Sequence, residues 1–147
     1  MPPDKPLTNK DFRDVYSKVP RLCVDVLIEN KTGVLLTFRN IEPADIWHIP
    51  GGTLFLNETI EQAVGRIAKN ELGVEVKIIK QIGLIDFFPY AGLGHPVSVV
   101  HKVEIISGKI KLNNEATEFG YFRIPPKNTV PQHRQFLAEY FKYTPLR

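Results

Sequence analysis

The segment Gly52-Thr53-Leu54-Phe55-Leu56-Asn57-Glu58-Thr59-Ile60-Glu61-Gln62-Ala63-Val64-Gly65-Arg66-Ile67-Ala68-Lys69-Asn70-Glu71-Leu72-Gly73-Val74 decides the fold. At about 100° per residue, Ile60, Ala63, Val64, Ile67, Ala68 and Leu72 fall on one apolar stripe, which predicts a helix over 57–72. Gly73 then stops it. Glu71 lies near the middle of that stripe, seven residues from Val64 and four from Ile67. A carboxylate facing a core is costly unless it is paired or bound to metal. In the last turn of a helix it also opposes the macrodipole. Two readings follow. Either the helix end frays and Glu71 reaches water or a lysine, or a cation waits beside it.

Upstream, Ile46 to Ile49 reads as a short strand stopped by Pro50-Gly51-Gly52, where a backbone carbonyl can be left exposed. Leu22 to Glu29 alternates, with Leu22, Val24, Val26 and Ile28 on one face and Cys23, Asp25, Leu27 and Glu29 on the other. Asn30-Lys31-Thr32-Gly33 is a turn, and Val34 to Phe38 is the expected hairpin partner. Before these, Thr8 and Asp11 predict a reciprocal cap on a short helix with Phe12, Val15 and Tyr16, ended by Pro20. Downstream, Val74 to Ile79, Ile82 to Phe88, Val97 to Ile106 and Phe119 to Ile124 read as strands. A C-terminal helix opens at Thr129 and Pro131 and carries Phe136, Leu137, Tyr140 and Phe141. Strands on both sides of one central helix predict an α/β (α+β) mixed sheet packed between helices.

The composition narrows the class. The chain has 147 residues, 43% hydrophobic and 24% charged, the usual size of one domain, expected over 1–147 with residues 1–7 flexible. One cysteine cannot staple a secreted scaffold or build a Cys-based zinc site, so Cys23 is expected reduced in a core. No apolar run approaches the roughly 20 residues needed to cross a bilayer. Met1-Pro2-Pro3-Asp4-Lys5-Pro6 has no apolar stretch behind its charges, so it does not read as a signal peptide, and a cytoplasmic location is expected. The net charge is +3. Lys and Arg are scattered, and a stretch such as Lys77 to Lys80 holds only two lysines, unlike the clustered stripe of a nucleic-acid binder. Neither nucleic acid nor membrane is expected as a partner; charge alone leaves a small phosphorylated ligand open.

Taken together, Gly52, Glu58, Arg66, Ala68, Glu71, Gly73 and Val74 stand at the spacing of the Nudix box, G-x5-E-x7-R-E-U-x-E-E-x-G-U with U apolar. The chain thus resembles the Nudix hydrolase family, and with the flanking strands and Trp47-His48-Ile49-Pro50-Gly51-Gly52 the resemblance covers nearly its whole length. It implies a Nudix-type mixed sheet between helices, a divalent cation such as Mg2+ or Mn2+, and a Glu58–Arg66 pair that sets the geometry of loop and helix. Two positions depart from the pattern. Ile67 and Asn70 stand where the family usually has metal-binding glutamates, which disfavours chemistry that clamps phosphates between several ions.

A similarly reduced box occurs in the GDP-mannose mannosyl hydrolases, whose other local features are similar here in Asp11-Phe12, Pro20, Asp25 and Arg39. That resemblance implies one ion held by the Gly51 carbonyl, Glu71 and Glu115, with water attacking the sugar carbon of a nucleoside-diphosphate sugar. Asp25, Arg39 and Arg66 are the expected substrate contacts, and Phe87, Phe88 and Tyr90 could stack on a base. A homodimer is implied by the same similarity. The branch's catalytic His falls at Ala116 and its arginine after the two glycines at Thr53. The general base is therefore sought among Glu118 and His95 first, then His133 and Glu115. His101 reads as a sheet-face residue and His48 as packing or substrate wall. The other readings are a pyrophosphatase acting on ADP-ribose, nucleotide sugars or NTPs, and a nucleotide-binding module without turnover.

Overall fold

The computed structural model describes residues 5–143; of the stretch expected to be flexible, residues 1–4 lie outside it. Among the described residues seven strands form two sheets rather than one. β1 (Arg21–Ile28) sits inside a four-stranded mixed sheet of order β4-β1-β6-β5, with β4 Gly51–Thr53, β5 Glu75–Asp86 and β6 Pro96–Ser107. It runs parallel to β6 and antiparallel to β4. β2 (Val34–Arg39) belongs to a three-stranded antiparallel sheet between β3 (Trp47–His48) and β7 (Ala116–Phe122). The predicted hairpin is thus corrected. The 30–33 turn forms, but beyond one bridge, Glu29 with Val34, the chain leaves β1 and enters the second sheet. Both edges of β1 are already taken, by β4 and β6.

The alternation in β1 also means more than a half-buried strand. Val24, Val26 and Ile28 enter a core with the central helix, whereas Leu27 enters a second core with Leu36, Ile49, Val100 and Leu137. Cys23 and Asp25 are buried on that second face, while Leu22, at the strand's start, is exposed. Gly51-Gly52 does not merely stop a strand; with Thr53 it forms β4, paired to β1 so that Gly51 lies opposite Asp25. The two strands expected from Val74 to Phe88 are one long strand, β5, with irregular register at three points.

The described residues also form the α-helices α1 (Asn9–Tyr16), α2 (Ile60–Ile67) and α3 (Pro131–Phe141). Thr8 caps α1 by accepting from the Asp11 N–H at 3.1 Å. α2 begins later than predicted. Asn57 has a positive φ of 64°, and Thr59 makes the cap, in a capping box with Gln62. α2 also ends sooner, because Ala68–Leu72 winds as a π-helical turn before Gly73, in the left-handed region at φ 68°. The wider turn has a positional consequence. It carries Glu71 off the apolar stripe, while Ile67, Ala68 and Leu72 stay buried. α3 starts on Pro131 with no side-chain cap from Thr129 or Val130. Among the described residues no helix is long and apolar enough to cross a membrane.

Candidate active site

A cleft of about 960 Å3 opens across the ends of both sheets. β1 contributes Asp25 to it, β4 Gly51 and Gly52, the π turn Glu71, β2 Arg39, and the chain entering β7 Glu115. The structure therefore brings together Asp25, Arg39, Gly51, Glu71 and Glu115, which the sequence places 90 residues apart at the extremes.

Glu71 lies beside the second glycine: a Cβ built on Gly52 would stand 3.9 Å from its Oε2. It makes no hydrogen bond or ion pair to a described residue. Burial and the nearby Glu115 carboxylate push its pKa up to about 8, against a smaller pull from Arg39. Glu115 is exposed, its backbone N–H bonded to Asn113 Oδ1 and its carbonyl to the Asn40 N–H. Two like-charged carboxylates lining one cleft with backbone carbonyls is an oxygen donor set suited to a hard divalent cation. Among the described residues no group of three or more His, Cys, Asp or Glu converges as a metal centre. Glu71 and Glu115 would hold such an ion, which would supply positive charge to the cleft.

Arg66 does not reach the cleft, which corrects its expected role as a substrate contact. Its Nε donates to Glu58 Oε2 at 2.7 Å, and its Nη2 donates to Glu58 Oε1 at 3.0 Å and the Thr53 carbonyl at 2.8 Å. Its guanidinium stacks 3.7 Å from the centre of the Phe55 ring. Glu58 accepts additionally from the Phe55 N–H. Burial alone would raise the Glu58 pKa, but these hydrogen bonds outweigh it and hold the carboxyl below its ordinary value. The pair clamps the loop between β4 and α2. Arg39 does line the cleft, with Nε and Nη2 donating to the carbonyls of Pro43 and Glu42.

The two leading base candidates lie elsewhere. Glu118 is exposed on β7 opposite Phe38, and His95 is bonded to Asp86 at 2.7 Å; neither lines the cleft. His101 is a buried sheet residue as expected, its Nδ1 3.3 Å from the Val99 carbonyl. Of the aromatic residues, Phe87 and Tyr90 line the cleft and Phe88 points into solvent.

Sequence reasoning missed a buried polar pair. His133 on α3 accepts the Ile49 N–H at Nδ1, at 3.1 Å, so its proton sits on Nε2 and is donated to Asp25 Oδ2 at 2.8 Å. Both side chains are almost wholly buried. A Cβ on Gly51 would collide with Asp25 Oδ1, so only glycine lets β4 pass this close. His48 is stacked 6.3 Å from His133 and bonded to Thr37 Oγ1 at 3.1 Å. Burial, with Arg39 and His133 nearby, lowers its pKa well below the ordinary range, which makes it a neutral wall. Asp25 and His133 are 108 residues apart, and no local pattern joins them. The signals were separate ones: an acid inside an otherwise apolar strand, and a histidine among the secondary base candidates.

Residues 19–143 match the NUDIX domain family. The chain is 31% identical over 144 residues to the low-salt glycan biosynthesis protein Agl8 of Haloferax volcanii, covering 91% of this chain and 92% of that one. It is 29% identical over 129 residues to an ADP-ribose pyrophosphatase of Methanocaldococcus jannaschii, covering 84% and 75%. Its fold superposes on a MutT NUDIX hydrolase of Burkholderia pseudomallei with a TM-score of 0.74 and 25% identity, over 82% of this chain and 98% of that one. The fold and the site define a class of α+β hydrolases built on a glycine strand, a loop and a helix. The chain belongs to the Nudix family.

Proposed function

We propose that this protein is a Mg2+-dependent (or Mn2+-dependent) hydrolase of a nucleoside-diphosphate sugar of the GDP-mannose kind, releasing free sugar and a nucleoside diphosphate. The observation that carries this reading is the small acid complement of the cleft. Asp25, Glu42, Glu71 and Glu115 line it, of which Glu71 and Glu115 are the pair taken as metal ligands, while Ile67 is buried in the core and Asn70 is exposed and does not line the cleft. Two carboxylates suit one ion, and one ion suffices where the diphosphate leaves as an intact group. The bond from the sugar carbon to the diphosphate oxygen breaks, and the diphosphate departs with the electron pair. Water supplies the new C–O bond. Asp25, with Oδ2 fixed by His133, keeps Oδ1 for a sugar hydroxyl or for the proton of the attacking water. Arg39 offers positive charge on the opposite wall, and Tyr90 a face for a base. The glycan-related relative supports a sugar substrate.

The ADP-ribose pyrophosphatase relative favours a second reading, P–O cleavage between the two phosphates. Hydrolysis of nucleoside-diphosphate sugars in 18O-labelled water separates the two. The label is expected in the sugar, with nucleoside diphosphate as co-product. Label in a phosphate, with nucleoside monophosphate and sugar phosphate formed, would establish the pyrophosphatase. Binding without turnover for every nucleotide tried, with Mg2+ or Mn2+ present, would make the domain a nucleotide-binding module.

A further inference from the structure

The cleft has a second polar end, and it is basic. Arg21, Cys23 and Asp25 alternate onto the same face of β1, and all three line the cleft. β4 runs beside them, with Thr53 opposite Cys23 and Gly51 opposite Asp25. The Arg21 Nη1 donates to Thr53 Oγ1 at 2.9 Å, which anchors the guanidinium two residues, roughly 7 Å, along β4 from Gly51. On its other side the Phe12 ring of α1 stands 5.4 Å from Cζ. Lys5 and Arg13 line the cleft at the same end.

This arginine is held but not satisfied. Its Nε is buried without a hydrogen-bond partner, and among the described residues no carboxylate pairs with it. A buried charged donor left open is costly, and a guanidinium fork matches phosphate oxygens. The opposite end, with Glu71 and Glu115, repels an anion unless a cation intervenes. Arg21 has no such obstacle, and it lies one strand pleat from the glycine strand where that cation would sit.

We propose that Arg21 is a binding residue for the substrate's diphosphate, taking the phosphate oxygens that face away from Glu71 and Glu115. The assignment rests on reading the cleft as a nucleoside-diphosphate site. It makes the substrate span the floor of β1 and β4 from the acidic end to α1. It also gives α1 a role in substrate affinity, because Phe12 and Thr53 together fix the guanidinium.

Calorimetric binding of inorganic pyrophosphate to the full chain, with a chelator removing divalent ions, tests it. Arg21→Gln keeps the length and a hydrogen bond to Thr53 but removes the charge, and is expected to weaken pyrophosphate at least about tenfold. Thr53→Val leaves the charge and frees the anchor, and is expected to weaken it about threefold. Glu71→Gln is expected to bind metal-free pyrophosphate no more weakly than the wild type. Wild-type affinity in a folded Arg21→Gln overturns the assignment. So does a loss confined to Arg39→Gln, which would put the anion on the other wall. If Arg21→Gln does not fold, wild-type pyrophosphate affinity in Thr53→Val overturns the assignment instead. Because no turnover is measured, absence of nucleoside-diphosphate sugar hydrolysis would overturn the proposed reaction and leave this result standing.

Discussion

Glu58 and Glu71 bracket the same helical segment, thirteen residues apart, and have opposite fates. Glu58 is 7% exposed and saturated, with Arg66 and the Phe55 N–H on its two oxygens. Glu71 is partly buried without a partner and faces another carboxylate across the cleft. One is held ionised by its neighbours and the other is pushed toward the neutral acid. The difference teaches how a family motif divides its labour. A carboxylate whose lone pairs are all used builds geometry, and one whose lone pairs are left open is available to a ligand.

Glu71→Gln gives the largest expected break in this comparison. Turnover should fall about 1000-fold, on the order of 4 kcal/mol of barrier, measured as kcat on a nucleoside-diphosphate sugar with saturating Mg2+. Its folding stability should not fall. Arg66→Met reverses that pattern, because it strands a buried Glu58 charge. It should cost about 3 kcal/mol in urea unfolding. Comparable stability losses in the two variants would mean that Glu71 is a structural acid like Glu58.

The pH dependence should separate them next. The folded-state pKa of Glu71 is raised to about 8 from an ordinary 4.5. Its contribution to stability is fully present below about pH 4.5 and is lost as pH rises through about 8. Glu58 is depressed, so its contribution is present above pH 4.5 and lost as pH falls. In metal-free protein, the wild type should therefore lose stability relative to Glu71→Gln between pH 4.5 and 8. The loss should be on the order of 2 kcal/mol once partial exposure is allowed for. Mg2+ should flatten this slope. A slope unchanged by both Mg2+ and the substitution would dissociate Glu71 from the cation.

His133→Phe should cost about 2 kcal/mol, since the Ile49 N–H and Asp25 Oδ2 both lose their partner. It should also lower kcat more than it raises KM, because Asp25 would no longer be held against Gly51. Thr59→Ala is the smallest, about 1 kcal/mol from the capping box, with kcat unaffected. An activity loss there would show that the start of α2 is coupled to the π turn.

Much of this was legible in the chain because it is local. The apolar stripe of α2, the glycine that ends the segment, the Thr8 cap and the misplaced acid at position 71 are all set within one or two helical turns. The spacing of Gly52, Glu58, Arg66 and Glu71 identified the family for the same reason, since all lie on one strand–loop–helix unit. Glu115 and Gly51 came from a register with that family rather than from physics, and both do line the cleft. Arg66 was misread as a substrate contact because a residue's partners cannot be counted from spacing. Its Nε and Nη2 are taken by Glu58 and Thr53, and it is not among the residues that line the cleft.

The sequence by itself determined where the three helices and most of the strands lie and that the chain is a Nudix family member, and it singled out Glu71. Tertiary structure decided which strands pair, why β1 is buried on both faces, and that β2 leaves for a second sheet. It also decided that His133 reaches Asp25 across 108 residues and that Arg21 is clamped against Thr53. The physical reason is common to these cases. Side-chain period and capping are properties of neighbouring residues, but a hydrogen bond or an open donor depends on what distant chain segments leave beside it.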